Sequence, residues 1–334
     1  MISIGIIGTS WISRQFADAA RSLPDVRIGA VCSRSAEHGE AFARECGITR
    51  VHTSVAALAA DDAIDTVYIA SPNARHCDQA ALCIAHDRNV IVEKPAFASP
   101  AQFSRIDALL REHPDVRYFE AARIIHTDNF AAVESCVRSL EHVSGAVFSY
   151  MKYSSEYDAF RAGATPAVFS TEFAGGALQD LGVYLVYNAV ALFGPPREAF
   201  YRARILRSGV DGMGTGLLRY EDFDVTLLAS KIVNSTMTSE IYGDREHIVI
   251  DDGGELTSAQ YLDGEGNTVP IGGAAPDNPM LGELRNFAEV LGSPHSEQSR
   301  ARYARWLALS HQVNDVLWRM HTDAGLVFPA DANS

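Results

Sequence analysis

Val90-Ile91-Val92-Glu93-Lys94-Pro95 is the stretch that decides how this chain folds. Three β-branched apolar residues in a row suit a strand buried on both faces, as in a parallel sheet. Pro95 has no N–H to give to a ladder and biases Lys94 towards extended backbone, so the strand ends at the charged pair. In an open parallel α/β sheet, ligands bind in the crevice beyond the carboxyl ends of the strands. Lys94 is therefore a candidate for chemistry, against the plainer alternative of a solvated lysine closing a surface strand.

Around that strand, strand and helix signals alternate. Strands are predicted at residues 2–7, 26–32, 66–70, 89–92 and 117–120, and helices at 11–23, 36–46, 75–86 and 100–112. Strands separated by helices of this length imply βαβ units and a parallel sheet. Beyond residue 120 the pattern changes. A helix at 129–140 leads into extended segments at 145–153, 202–208, 216–220, 224–231, 237–242, 247–251 and 256–262, joined by turn signals such as Asp211-Gly212 and Asp251-Asp252-Gly253-Gly254. They read as an antiparallel meander, closed by helices at 280–291 and 299–321. Two domains are expected, 1–120 and 121–334.

Composition narrows the class. At 334 residues, with 47% hydrophobic and 21% charged, the chain can bury two ordinary cores. A formal net charge of −14 argues against general binding to nucleic acid or an anionic membrane. The five cysteines (Cys32, Cys46, Cys77, Cys83 and Cys136) form no CxxC pair, so they read as free thiols in a reducing compartment, with no metal site. No apolar run approaches the ~18–20 residues needed to span a bilayer and no signal peptide is evident, so a cytoplasmic protein is expected.

Several turns fall at the predicted ligand edge. Gly8-Thr9-Ser10-Trp11-Ile12-Ser13 follows the first strand where a G-x-G-x-x-G fingerprint would lie, with serines in place of the second and third glycines. A helix N-terminus and a serine hydroxyl can still receive a phosphate. After the second strand come Ser33 and Arg34, where an NAD-preferring domain would carry an acid for the ribose hydroxyl. An arginine suits a 2′-phosphate instead, which points to NADP(H), with NAD(H) as the other possibility. Ser71-Pro72-Asn73 forms a turn after the next strand, and His76 opens the following helix as a helper.

Taken together, Gly8-Thr9-Ser10, Ser33-Arg34, Ser71-Pro72-Asn73-x-x-His76 and Glu93-Lys94-Pro95 resemble, in order and spacing, the glucose–fructose oxidoreductase / inositol dehydrogenase / MocA family. The resemblance implies an N-terminal Rossmann domain with a doubly wound parallel sheet and a bound nicotinamide dinucleotide. It also implies a C-terminal α+β domain whose large, open-faced, mainly antiparallel sheet pairs two copies into a homodimer or larger assembly. Gly8, Thr9, Ser10, Trp11, Ile12, Ser33, Arg34, Ser71, Asn73, His76, Glu93 and Lys94 would bind the cofactor.

In the second half, Gly175-Gly176-Ala177-Leu178-Gln179-Asp180-Leu181-Gly182-Val183-Tyr184 begins a helix that places Asp180, Tyr184 and Asn188 at four-residue spacing, hence on one face. Read alone, this is a packing helix with a satisfied aspartate. The family carries G-G-x-x-x-D-x-G-x-H here, with histidine moving the proton. Tyr184 in its place resembles the branch that includes dimeric dihydrodiol dehydrogenase. A free tyrosine, with a pKa of about 10, is a poor base, and a nearby cation favours its anion. Tyr184 is thus expected as acid/base, Lys94 as its electrostatic partner, and Asp180 as the group that orients substrate or lysine. Arg123, His126 and Asn188 are further candidates for the substrate pocket. The expected activity is hydride transfer between NADP(H) and a secondary alcohol or carbonyl of a sugar, polyol or cyclic diol. The alternatives are an NAD-dependent enzyme of the same kind and a dinucleotide-binding regulator without turnover.

Overall fold

The computed structural model describes residues 1–333. The chain forms two compact units, Met1–Arg123 with Pro276–Ser310, and Ile124–Ala275 with the residues from His311 onward.

The first unit is built from β1 (Ile2–Ile7), α1 (Trp11–Arg21), β2 (Val26–Cys32), α2 (Ala36–Cys46), β3 (Arg50–His52), α3 (Val55–Ala59), β4 (Thr66–Ile69), α4 (His76–Ile84), β5 (Asn89–Glu93), α5 (Pro100–Glu112) and β6 (Tyr118–Ala121). Its six strands run in the order β3-β2-β1-β4-β5-β6, and every pair is parallel. This is the doubly wound dinucleotide-binding order. Period-two alternation explains why the sheet is apolar throughout. Val90 and Val92 enter one core with Phe97, Phe103 and Tyr118, while Ile91 between them enters the other with Ile4, Phe16 and Phe119. Ser35, Ser54 and Ser99 cap α2, α3 and α5 by accepting from backbone N–H groups three residues on. Gly47, at φ 72°, ends α2 in the left-handed region. β3 and α3 were not expected from sequence, since three and five residues are too short to show a period.

The second unit begins with α6 (Asp128–Ser139), β7 (Gly145–Met151), α7 (Tyr157–Arg161) and α8 (Val183–Phe193). There follow β8 (Glu198–Ile205), β9 (Asp211–Arg219), β10 (Asp224–Ser230), β11 (Ser239–Tyr242), β12 (His247–Ile250), β13 (Ala259–Leu262) and β14 (Thr268–Ile271). They make one eight-stranded sheet in the order β14-β13-β12-β11-β7-β10-β9-β8. It is mostly antiparallel but not a plain meander, because β10 pairs with β7 in parallel. β7, first in the chain, lies in the middle, and later strands add to both of its sides. Ala146, Leu218, Val225, Ile241 and Ile248 are buried on one face. On the other, a row in register crosses all eight strands through Phe200, Leu217, Thr226, Val147, Glu240, Val249, Gln260 and Pro270. None of these eight is fully buried.

Asp211-Gly212, expected as a turn, lies inside β9. The reversal is at Leu206–Val210, where Leu206 N–H donates to Val210 (2.8 Å) and Gly209 takes φ 87°. Gly212 is glycine for another reason, since a Cβ there would come within 2.9 Å of Leu206.

Two helices close the chain, α9 (Leu281–Gly292) and α10 (Glu297–Asp323). Leu284, Phe287 and Val290 of α9 complete the core around Ile4 and Phe16, and Phe287 stacks on Phe119 at 4.6 Å. The expected consecutive division at residue 120 therefore differs from the compact units, because Pro276–Ser310 returns to the first. One helical stretch, Thr171–Phe193, has the length and apolarity of a membrane span, which the sequence was not expected to contain. Its most apolar window is 78% buried within the protein.

Candidate active site

The sheet of the first unit ends in three turns. At the first, Gly8 has φ 107°, and a Cβ there would lie 2.5 Å from the Ala70 carbonyl oxygen, so only glycine lets β1 pass the end of β4. Ser10 is the N-cap of α1 yet makes no side-chain cap bond, and the first turn of α1 carries no acid. Those N–H groups suit an anion. Trp11 is 68% exposed and Ile12 half-buried. Ser13, in place of the third glycine, is fully buried, and its hydroxyl has no hydrogen-bond partner. The Thr9 carbonyl accepts from Arg14 at 2.9 Å. At the end of β2, Ser33 is half-buried and donates its N–H to His52 (3.0 Å), whereas Arg34 is exposed. A glycine turn, a helix start clear of acids and a basic strand end fit a nicotinamide dinucleotide.

The other two turns are joined by His76. Its ring is fully buried, with Nε2 at 2.8 Å from the Ser71 carbonyl and Nδ1 at 3.1 Å from the Pro95 carbonyl. Burial lowers its pKa, opposed by its bonds to backbone carbonyls, and the Lys94 cation adds to the lowering. His76, expected as a helper at the cofactor edge, is fully buried between the Ser71 and Pro95 turns. Ser71 Oγ donates to Gln79 at 2.7 Å, and Asn73 opens a short 3₁₀ turn. The Lys94–Pro95 peptide is cis.

Two carboxylates hold the same segment. Tyr68, stacked on Phe16 at 3.7 Å, donates its hydroxyl to Glu93 at 2.6 Å. Ala96 N–H donates to Glu120 at 3.0 Å, and Glu120 in turn accepts from Ser310. Burial raises the Glu93 carboxyl, opposed by the Lys94 cation, the Tyr68 hydroxyl and Arg123. From Val90 to Ser99, Lys94 is the one residue that is not buried. A rigid segment thus offers a single cation at the carboxyl edge of the sheet. Glu283 on α9 is fully buried nearby in charge terms. Desolvation and the negative charge of Glu93 push its carboxyl well up, Arg123 opposes them, and neither of its oxygens has a partner. Nothing in the sequence marked Glu283, because its position on α9 reads as an ordinary helix start.

In the second unit, the glycine pair is explained by close approach. A Cβ on Gly175 would lie 2.7 Å from the Val168 backbone, and one on Gly176, at φ 119°, would lie 2.1 Å from Asp211 Oδ1. Asp211 is fully buried; its Oδ2 accepts from Leu178 N–H and from the Tyr201 hydroxyl, both at 2.7 Å. Burial raises its carboxyl, while those two bonds and the Lys231 cation pull it back. The expected α-helix therefore opens as a π-turn, Leu178–Gly182, before α8 begins. Such turns are frequent at functional sites. Asp180 sits in that turn and pairs with Lys231. Tyr184 follows one turn on, 6% exposed, its ring edge-on to Tyr150 at 5.8 Å. Asn188, expected in the substrate pocket, is 1% exposed and donates to the Gly253 carbonyl at 2.7 Å, which makes it a strut between α8 and the turn after β12. Arg123 and His126 are both buried, at the two ends of a 3₁₀ turn. Lys231 and Asp211 were missed. A lysine at a strand end and an aspartate before a glycine look like surface and turn residues.

Comparison with known proteins agrees with the fold. Residues 2–120 match the oxidoreductase family with an NAD-binding Rossmann fold, and residues 143–249 match the GFO/IDH/MocA C-terminal domain. The chain is 35% identical to the Escherichia coli oxidoreductase YgjR and 35% identical to the scyllo-inositol 2-dehydrogenase (NADP(+)) IolU of Bacillus subtilis. In both cases the match spans 99% of each protein. A solved structure of an Actinomadura kijaniata 3-ketoreductase with NADP and TDP-benzene shares the fold, at a TM-score of 0.83 and 19% identity over 96% of this chain and 97% of that one. The chain belongs to the Gfo/Idh/MocA family of oxidoreductases and is a nicotinamide-dinucleotide-dependent enzyme.

Proposed function

We propose that this enzyme uses NADP(H) to interconvert a secondary alcohol and a carbonyl on a sugar, sugar-derived polyol or cyclic diol. The observation that carries the reading is Lys94, the one residue of a braced, buried segment left accessible at the edge of a dinucleotide-binding sheet. Exposed Arg34 at the end of β2, with no carboxylate beside it, supports NADP(H). The name of the Bacillus subtilis relative, 35% identical over its whole length, supports a cyclic polyol.

When bound, the nicotinamide gives or takes the hydride. Tyr184 takes the alcohol proton as tyrosinate and returns it as the hydroxyl. Lys94 supplies a cation that favours the tyrosinate and a donor for the substrate oxygen. Asp180 accepts from a neighbouring substrate hydroxyl. Purified enzyme should reduce NADP⁺ faster than NAD⁺ with scyllo-inositol or another member of a sugar, polyol and diol panel, followed by absorbance of the reduced cofactor. Lys94→Ala and Tyr184→Phe should each lose about 10²–10⁴-fold in kcat while still binding NADPH. Near-normal turnover by Tyr184→Phe would sink the assignment, and cofactor binding without turnover on the whole panel would favour a regulator. As partner we propose a second copy of the chain on the unburied face of the eight-stranded sheet, where Leu217, Val147 and Val249 present apolar surface.

A further inference from the structure

Lys231 follows β10 directly, and its backbone is clamped on both sides: its N–H donates to Gly212 at 2.8 Å and its carbonyl accepts from Ser154 at 2.9 Å. The side chain is only 3% exposed. A buried ammonium is costly unless a carboxylate meets it. The carboxylate that meets this one is Asp180, whose side chain is 35% exposed and so is reached from outside the core. The Lys231 ammonium also stands 5.5 Å from the ring centre of fully buried Phe169.

The π-turn is therefore held at two points. Asp211 takes the N–H of Leu178 at its start, and Lys231 takes the carboxylate of Asp180 two residues later. Asp211 cannot serve as the outer group, since it is sealed beneath Tyr201 and Gly176. One cation thus lies near two carboxylates, one buried for architecture and one presented outward. Titratable groups around this turn include Tyr201 on β8, Tyr150 on β7 with Glu255 on its hydroxyl, and Tyr184 one turn along.

We infer that Lys231 is a positioning residue for the reaction: it holds Asp180 as a fixed carboxylate anion, so that Asp180 orients a substrate hydroxyl and does not itself take the reaction proton. The inference rests on the substrate reading above for its kinetic consequence, but not for the pairing. An ammonium paired with a carboxylate favours its anion, which leaves proton transfer to Tyr184. With the cation removed, Asp180 would protonate nearer neutrality and cease to accept.

The test has two arms. In the first, ¹³C-labelled aspartate is followed by NMR, with the Asp180 carboxyl assigned by its loss in Asp180→Asn. In the wild-type enzyme it should titrate below the ordinary value of about 3.9, and Lys231→Met should raise it by about one unit or more. In the second, kinetics with scyllo-inositol and NADP⁺ should show kcat/KM of Lys231→Met down by about tenfold or more, with a new acid limb at the raised pKa of the Asp180 carboxyl. Lys231→Arg should recover most of the loss, and NADPH affinity should be unchanged in both variants. A wild-type Asp180 that titrates at or above the ordinary value overturns the inference without any variant. So does a folded Lys231→Met with an unaltered pH profile, or a Lys231→Arg no better than Lys231→Met. If wild-type enzyme leaves scyllo-inositol untouched, the substrate reading fails on that probe and the aspartate titration alone decides the role of Lys231.

Discussion

Arg34 is the exposed side chain on which the proposed cofactor choice turns. Its guanidinium has no fixed task in the fold, so removing it costs little stability, and any loss should appear where a 2′-phosphate is present. Arg34→Ala should weaken NADPH by about tenfold or more, the worth of a charge-assisted hydrogen bond, and NADH by less than about twofold. Fluorescence titration with both cofactors reads the ratio, and equal losses would end the NADP(H) assignment. Glu283 makes the opposite kind of prediction. Its carboxyl is raised well above its ordinary range by burial and by Glu93. The folded state therefore keeps a proton that the unfolded chain gives up, so this group's contribution to stability is full below the unfolded pKa and is lost as pH rises towards the folded value. The melting temperature of Glu283→Gln relative to wild type should climb with pH from about 4.5 upwards, and a difference flat in pH would refute the raised pKa. Residue chemistry could be read where a candidate stands beside its own motif, as Lys94 and Arg34 do in their proposed roles. It was hidden for Glu283, Asp211 and Lys231, because each is defined by burial among residues distant in sequence.

The π-turn joins chain pattern to chemistry at the scale of one element. Gly176→Ala would force φ 119° on an alanine and drive its methyl into Asp211, displacing the carboxylate that anchors Leu178. Backbone strain and overpacking together should cost about 2–4 kcal/mol. For a unit of this size that is a fall of about 4–16 °C in Tm by calorimetry, and a change under about 1 °C would show that the turn does not depend on this approach. The regular elements were readable because period decides them: β1, β2, α2 and α5 fall where alternation and capping residues put them. The π-turn was not, since a sequence written for an α-helix differs from it only through the Asp211 anchor. Nor was the parallel pairing of β10 with β7, because neighbours in sequence are the default partners and here β8 and β9 come between the two in the chain.

For the whole chain, the row from Phe200 to Pro270 bears on assembly. If a second copy covers that face, Leu217→Glu, at a side chain that is 37% exposed, should leave the fold intact and shift the protein towards monomer by sedimentation velocity. An unchanged sedimentation coefficient would place any self-contact elsewhere. The return of Pro276–Ser310 to the first unit has a consequence for biosynthesis. The core around Ile4, Phe16 and Phe119 waits for Leu284, Phe287 and Val290, which emerge from the ribosome roughly 160 residues after the last strand of its sheet. At about 5–20 residues per second, that apolar surface stays uncovered for on the order of 10–30 s. The nascent Met1–Arg123 segment thus keeps an apolar face open until α9 is made to cover it.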